Sequence, residues 1–440
     1  MTGRISALSL PAMRPLPPGR ACTVSVVDIG SDKICCIVAK LKPRARDRAD
    51  SQRSHDIQVL GVGYHRSAGI KSGVIMDMEA AEGAIRRAVE AAERMAGTTI
   101  ESVIANVSCG RIMSETFSAN VETRNTISEK DVHRVLAAGR AFSLEEGRTV
   151  IHSLPIGYAL DGQRGVSHPV GMVGETLGVD MNVISADASP VRNLILCLER
   201  CHLEVEALVA SPYASALGAI SEDEARLGTA CLDIGAGTTN LSVFFEGSIV
   251  FADNIAIGGQ HVTMDLARGL STNLGHAERI KALYGSALPA DSDDGEMINV
   301  PRVGTVEEED VVPTPRAMIN AIIRPRVEEI LEIMRDRMRA SGAEGVTGRR
   351  LVMTGGGSMQ TGIIQLAESI LSCRARVGRP GSIEGLPEQA HAPAFSAALG
   401  LLVYPQVAQI EHFEADSVKR GLAAPGHYLA RVGRWLKESF

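Results

Sequence analysis

Aromatic residues are scarce in this chain, at 3% of its 440 positions, with a single tryptophan, Trp435. Proteins that grip nucleic acid stack bases on such rings and present a basic face, whereas the net charge here is −7. Nucleic acid is therefore not the main partner. Paired cysteine motifs are missing as well: Cys22, Cys35, Cys36, Cys109, Cys197, Cys201, Cys231 and Cys373 form no C-x-x-C pair. Zinc held by sulfur finds no ligand set. Most of these cysteines sit in apolar strands or helices, as buried reduced thiols of a cytosolic protein do. No apolar run reaches the length of a membrane span. Residues 1–21 carry arginines and prolines, no acid and no continuous apolar stretch, so they read as a disordered arm rather than a secretory signal.

What is present is the composition of an ordinary globular protein, 45% hydrophobic and 22% charged, in a chain long enough for two lobes or more. Its central stretch is Thr229–Val243, TACLDIGAGTTNLSV. An apolar strand ends in Asp233, turns through Gly235, Ala236, Gly237, Thr238 and Thr239, and leaves as a second alternating strand. A turn this poor in side chains lets backbone N–H groups approach an anion, and the threonines add hydroxyl donors. A carboxylate beside that anion is tolerable when a cation lies between them, which favours phosphate with Mg²⁺. Taken singly, an ordinary tight hairpin explains the stretch equally well. The chain, however, does it twice. Val24–Val38, VSVVDIGSDKICCIV, repeats the pattern with Asp28, Gly30 and Ser31, and Lys33 offers a point charge to phosphate. Two such hairpins suggest two related halves closing on one ligand.

Further along, residues 110–176 change texture and read as a small inserted subdomain. The helices expected at Tyr213–Ile220 and Pro393–Tyr404 are rich in small residues and suit close crossing between lobes. Gly258 and Gly259 precede a helix, and Glu278 and Lys281 share one face of the next. Arg316–Met338 is a long helical pattern interrupted or started by Pro325. LVMTGGG, ending in Gly355, Gly356 and Gly357 before Ser358, is a strand running into a glycine loop, where α/β folds bring backbone against nucleotides. Neither glycine cluster is G-x-G-x-x-G, so a dinucleotide site is not supported. After a polar linker, 405–426, the segment 427–440 places Tyr428, Leu429, Val432, Trp435, Leu436 and Phe440 on one helical stripe. Arg431, Arg434 and Lys437 line the other side, as in a membrane-surface helix. Each buried apolar side chain contributes roughly 1.5–3 kcal/mol and each basic group near anionic lipid about 1 kcal/mol. One short helix would bind reversibly and several joined copies strongly, so the tail predicts a multimer.

These hairpins, crossing helices and glycine loop resemble the actin/Hsp70/sugar-kinase ATPase superfamily. The order of VVDIGSDKICCIV, SHPVGMVGETLGVDMNVI, CLDIGAGTTNLSVF, IAIGGQHVTMDLARGL, AERIKALYG, LVMTGGGSMQTGI and RVGRPGSIEGL, then the terminal helix, is similar to the FtsA family of bacterial cell-division proteins from about Val24 to Phe440. The resemblance implies an α/β, actin-like two-lobed fold with duplicated βββαβα-type halves and an inserted subdomain in lobe 1. The expected division is lobe 1 core at 22–109 and 177–227 with 381–404, and the insert at 110–176. Lobe 2 core would be 228–258 and 315–380, with a small subdomain at 259–314. ATP and Mg²⁺ would lie in the cleft. Asp28 and Asp233 would hold the metal through water, and the two hairpin tips would clamp the phosphates. Glu278 and Lys281 would reach ribose and adenine, with Gly355–Gly357 against the adenosine. Glu206 is the candidate for positioning water in a weak ATPase. The resemblance further implies self-association, a peripheral place on the cytoplasmic face of the inner membrane at the division site, and recruitment of later division proteins. It also implies binding of the FtsZ C-terminal tail at the small subdomain, with Arg316 as a charge partner. A small-molecule kinase or phosphatase on the same fold is the alternative, though it has no use for the tail. A chaperone ATPase would need a substrate domain after the last crossing helix.

Overall fold

The computed structural model describes residues 10–11, 13–17, 19–44, 54–140, 145–166, 168–303 and 311–408. The first half contains β1 (Cys22–Ile29), β2 (Lys33–Pro43), β3 (His55–Arg66), a two-residue pair β4 (Ile70–Lys71) and β5 (Val74–Ile75), α1 (Met78–Ala96) and β6 (Ser102–Val107). The Asp77 side chain caps α1 by accepting from the Ala80 N–H, and Gly97, with φ of 67°, ends it. There follow β7 (Met113–Glu122), α2 (Glu129–Gly139), β8 (Arg148–Leu160), β9 (Gln163–Val166) and β10 (Thr176–Asp187). The chain then returns through α3 (Ala188–Arg200), β11 (Glu204–Ala210), α4 (Ser211–Ala219) and α5 (Glu222–Leu227). The second half comprises β12 (Thr229–Ile234), β13 (Thr239–Phe245), β14 (Ser248–Ile255), α6 (Gly259–Gly269), α7 (Leu274–Tyr284), β15 (Met297–Pro301), β16 (Val311–Pro315), α8 (Arg316–Ala340), β17 (Arg350–Thr354), α9 (Ile363–Leu371), β18 (Arg374–Val377) and α10 (Ser396–Val407).

The duplication is visible in strand order. The first half forms β11-β6-β1-β2-β3 and the second β18-β17-β12-β13-β14. Numbered within each half, both read fifth, fourth, first, second, third. In each, the first strand pairs antiparallel with the second and parallel with the fourth. Alternation along the second sheet separates two cores: Cys231 and Val352 join the first-half core, while Leu232, Leu351 and Met353 join that of α6, α8 and α9.

The insert has a core of its own, made by Ile127, Val132, Val135, Leu136, Tyr158 and Met181, among others. Its strands extend the second half's sheet through one pairing, Asp253 with Met113. The boundary expected at 176/177 falls at the start of β10, and β10 pairs with β7 and β8 inside the insert. The longest strand of the insert, β8, runs 13 residues.

Two expectations are corrected. Residues 13–17 are not a loose arm, because Met13 and Leu16 are buried in the first-half core and Leu10 packs against it. α8 neither starts nor breaks at Pro325 but runs 25 residues through it. Burial of Ile319, Ile323, Val327, Ile330 and Leu331 along that helix outweighs the roughly 3 kcal/mol that an interior proline costs.

α4 and α10 cross at backbone contact. A Cβ on Gly400 would lie 1.7 Å from the Ala214 carbonyl oxygen, and one on Gly218 would lie 2.0 Å from that of Ser396. The small residues are thus required by how closely the two helices approach.

Candidate functional site between the twin hairpins

The tips of β1–β2 and β12–β13 are built alike. Gly30 N–H donates to the Lys33 carbonyl at 3.0 Å, and Gly235 N–H donates to that of Thr238 at 2.9 Å. The two tips meet: a Cβ on Gly237 would fall 2.4 Å from Ser31 Oγ and 3.0 Å from Ser72 Cα. Ser31 Oγ accepts from Gly73 N–H, which leaves its own proton to donate.

Asp28 and Asp233 end the matching strands and are both buried. Burial pushes the Asp28 carboxyl up to about 6, opposed by the Lys33 ammonium and reinforced by Asp233. Asp233 is raised by burial too, against the hydrogen bond from Asn240, the neighbouring Ser215 hydroxyl and the charge of Lys33. Lys33 is itself lowered by burial. Its Nζ donates to the Ala394 carbonyl at 2.9 Å and lies 3.1 Å above the Phe395 ring. Two buried carboxylates thus share one ammonium, an imbalance that a divalent cation would relieve. Among the described residues no cluster of three or more His, Cys, Asp or Glu could hold a metal. A cation here would therefore need ligands from water and phosphate, which fits Mg²⁺ carried with a nucleotide.

Sequence reasoning missed the groups that hold the aspartates. Asn106, ending β6, donates through Nδ2 to Asp28 Oδ1 at 2.7 Å and to Ser211 Oγ at 3.1 Å, while its Oδ1 accepts from Ile29 N–H at 2.6 Å. Asn240 Nδ2 donates to Asp233 Oδ2 at 3.1 Å. A polar side chain closing an apolar strand was the available signal for Asn106, whereas the Lys33–Phe395 contact joins positions distant in sequence.

On the second side, α6 is fastened to the hairpin. Gly259 and Gln260 donate their N–H groups to the carbonyls of Gly235 and Ala236 at 2.9 and 2.8 Å, and Gly258 passes too close to both carbonyls to carry a side chain. Lys281 Nζ reaches the Gly259 carbonyl at 3.1 Å, Thr263 Oγ1 at 2.8 Å and Glu278 Oε2 at 2.7 Å. Gly355 lies against the Asp233 carboxylate and Gly357 against Ile234, while Gly356 is exposed. Gln360 ties this loop to the end of α7 through the Gly285 carbonyl. The hairpins, Glu278, Lys281 and the glycine loop thus connect through shared backbone contacts.

Several expected residues stand elsewhere or serve the fold. Glu206 lies at the wrong end of β11: Ser102 Oγ donates to its carboxylate, and it raises Cys22, the first residue of β1. In the register of β11 with β6, Val209 lies opposite Asn106, so Glu206 stands three residues, roughly 10 Å, short of that level, and its carboxylate turns back to Ser102. The Thr239 hydroxyl donates to the Ile257 carbonyl and the buried Ser358 hydroxyl to that of Gly355, so neither faces a phosphate. Arg316 is committed internally, to the Tyr284 carbonyl and Glu296, with Asp293 at 3.6 Å. Tyr428, Leu429, Arg431, Val432, Arg434, Trp435, Leu436, Lys437 and Phe440 lie outside the described residues. No described helix is long and apolar enough to cross a membrane.

Comparison with known proteins follows the same lines. The family model for the cell division protein FtsA matches residues 230–400, and that for the SHS2 domain inserted in FtsA matches residues 110–185. The cell division protein FtsA of Rhizobium meliloti strain 1021 is 47% identical, covering 98% of each chain. That of Pseudomonas aeruginosa PAO1 is 33% identical, over 94% of this chain and 97% of its own. Among solved structures, a PilM–PilN type IV pilus biogenesis complex superposes with a TM-score of 0.60 at 16% identity, covering 87% of this chain and 98% of that one. Spiroplasma citri MreB 5 bound to AMPPNP superposes with 0.51 at 12% identity, covering 91% and 98%. These two likenesses speak to the two-lobed actin-like fold.

Proposed function

We propose that this chain, which belongs to the family of the cell division protein FtsA, binds ATP and Mg²⁺ between its twin hairpins and works as a polymerising membrane adaptor for division. The observation that carries the nucleotide reading is the meeting of the two tips at Gly237 and Ser31 over a pair of buried aspartates. Asp28 and Asp233 would hold Mg²⁺ through water. Gly30, Ser31, Lys33, Gly235, Gly237 and Thr238 would surround the phosphates, and Glu278, Lys281 and Gly355–Gly357 the nucleoside. The Mg²⁺ bound with ATP would supply the positive charge that offsets the two carboxylates. The chain's part is to orient that charge, with Asn106 and Asn240 fixing the carboxylates from behind.

Adaptor work is supported by the family and by the amphipathic pattern of 427–440. In this reading the tail lies on the cytoplasmic face of the inner membrane, and copies associate with one another. The subdomain carrying β15 and β16 receives the FtsZ C-terminal tail, and later division proteins follow to the division site. A small-molecule kinase or phosphatase would share the cleft but not the tail. Sedimentation with anionic liposomes separates the two. Deleting 428–440 is expected to abolish co-sedimentation while leaving Mg·ATP affinity unchanged. Unaltered liposome binding after the deletion refutes the adaptor reading, and absence of Mg·ATP binding by the intact chain refutes the cleft.

A further inference from the structure

His152 is a buried imidazole that no part of the nucleotide reading uses. It lies on β8 of the insert, yet its Nε2 accepts from the Ala210 N–H at 2.9 Å. Ala210 ends β11 and precedes the first residue of α4. An Nε2 that accepts is unprotonated, which in the neutral ring places the proton on Nδ1. The imidazole is also clamped by rings from both crossing helices: Tyr213 at 5.2 Å and Tyr404 at 5.7 Å between centroids, each approached edge to face. Tyr213 in turn stacks at 6.1 Å on Phe244 of β13. One side chain of the insert thus sits where both crossing helices and the second half's sheet come together.

The amide it holds immediately precedes α4, the helix that reaches Asp28 through Asn106. Ser211, the next residue, accepts from the same Asn106 amide that holds Asp28. One turn further along α4, the Ser215 hydroxyl donates to the Ser211 carbonyl at 2.7 Å and braces the turn that carries Ser211. A cation drawn between the carboxylates would alter their spacing. α4, linked to Asp28 through Ser211 and Asn106, must respond. The helix is packed at backbone contact against α10 and cannot absorb the change by local adjustment.

We propose that His152 is a positioning residue that couples α4 to the insert, so that the seating of residues 110–187 depends on whether Mg·ATP occupies the cleft. The proposal rests on the nucleotide reading above, and its test separates the two. Hydrogen–deuterium exchange of the full chain is compared with and without Mg·ATP. The comparison covers the native protein, His152→Phe (ring kept, acceptor lost) and His152→Gln (acceptor kept). In the native chain Mg·ATP should slow exchange at both hairpins and also across residues 148–154 on β8. In His152→Phe the hairpins should stay protected while the response of 148–154 disappears. Because coupling is reciprocal, the dissociation constant for Mg·ATP should also rise about fivefold or more. His152→Gln should keep most of the native response. A purely structural role would raise exchange equally with and without ligand. Protected hairpins with an unresponsive β8 in the native chain overturn the proposal without any variant having to fold. An equal β8 response in His152→Phe overturns it as well. Hairpins that Mg·ATP leaves unprotected overturn the nucleotide reading itself, and this proposal with it.

Discussion

Replacing Asp28 by Asn should make the ligand-free protein more stable at neutral pH, although it removes a group that the site requires. Asp28 is raised from 3.8 to about 6 by burial, with Asp233 adding to the effect. Because the folded state holds the proton more tightly than the unfolded chain, native stability rises as pH falls through 6 towards 4. Above 6 the ionised carboxylate destabilises the fold by its full amount. At about 1.4 kcal/mol for each tenfold change in proton affinity, that amount is on the order of 3 kcal/mol. The amide keeps an acceptor for the Asn106 donor and carries no charge. Urea unfolding of native and Asp28→Asn chains, free of nucleotide and Mg²⁺, should therefore show the variant more stable by about 2–3 kcal/mol at pH 8. The gain should shrink to a fraction of that at pH 4. Loss of the charge from beside Asp233 works in the same direction. With Mg·ATP at about a thousand times its dissociation constant, the native chain should gain about 4.1 kcal/mol and the variant little, reversing the ranking. A variant less stable than native at pH 8 without ligand would refute the reasoning, as would a gain independent of pH.

Gly400→Val should destabilise the fold by about 3 kcal/mol or more, since even a Cβ there lies 1.7 Å from the Ala214 carbonyl; an unchanged urea midpoint would contradict the crossing. Gly237→Val should weaken Mg·ATP binding at least about tenfold by pushing the tips apart at Ser31, as measured by equilibrium titration, and should leave far-ultraviolet circular dichroism intact. Glu206→Gln should leave nucleotide binding and any turnover as they were. A tenfold loss of turnover in that variant would return Glu206 to the site.

Local turn chemistry made the hairpins legible. D-I-G followed by small polar residues dictates both the bend and the exposed amides, so Asp28, Gly30, Gly235 and Asp233 emerged from residue order alone. The crossing helices were readable for a similar reason, because alanine, serine and glycine at helical spacing have few other uses. Features decided by tertiary contact were not readable. Phe395 under Lys33 and Asn106 behind Asp28 depend on strands and helices brought together from remote positions. Glu206 was misplaced because adjacency to α4 in sequence says nothing about which end of β11 faces the cleft. Met13 and Leu16 are scattered among prolines and arginines, with no helical or strand periodicity to suggest burial. The pairing of β10 with β7 and β8, which carries it into the insert, depended on register.

The opening amides of α6 are spent on the carbonyls of Gly235 and Ala236, so the positive pole of that helix is already occupied by protein. A ligand in the cleft must draw its donors from the turn itself. The outer subdomain, meanwhile, is fastened by those same two carbonyls on its cleft side, like a handle riveted to a latch. Any partner pulling on the handle would be felt at the latch first.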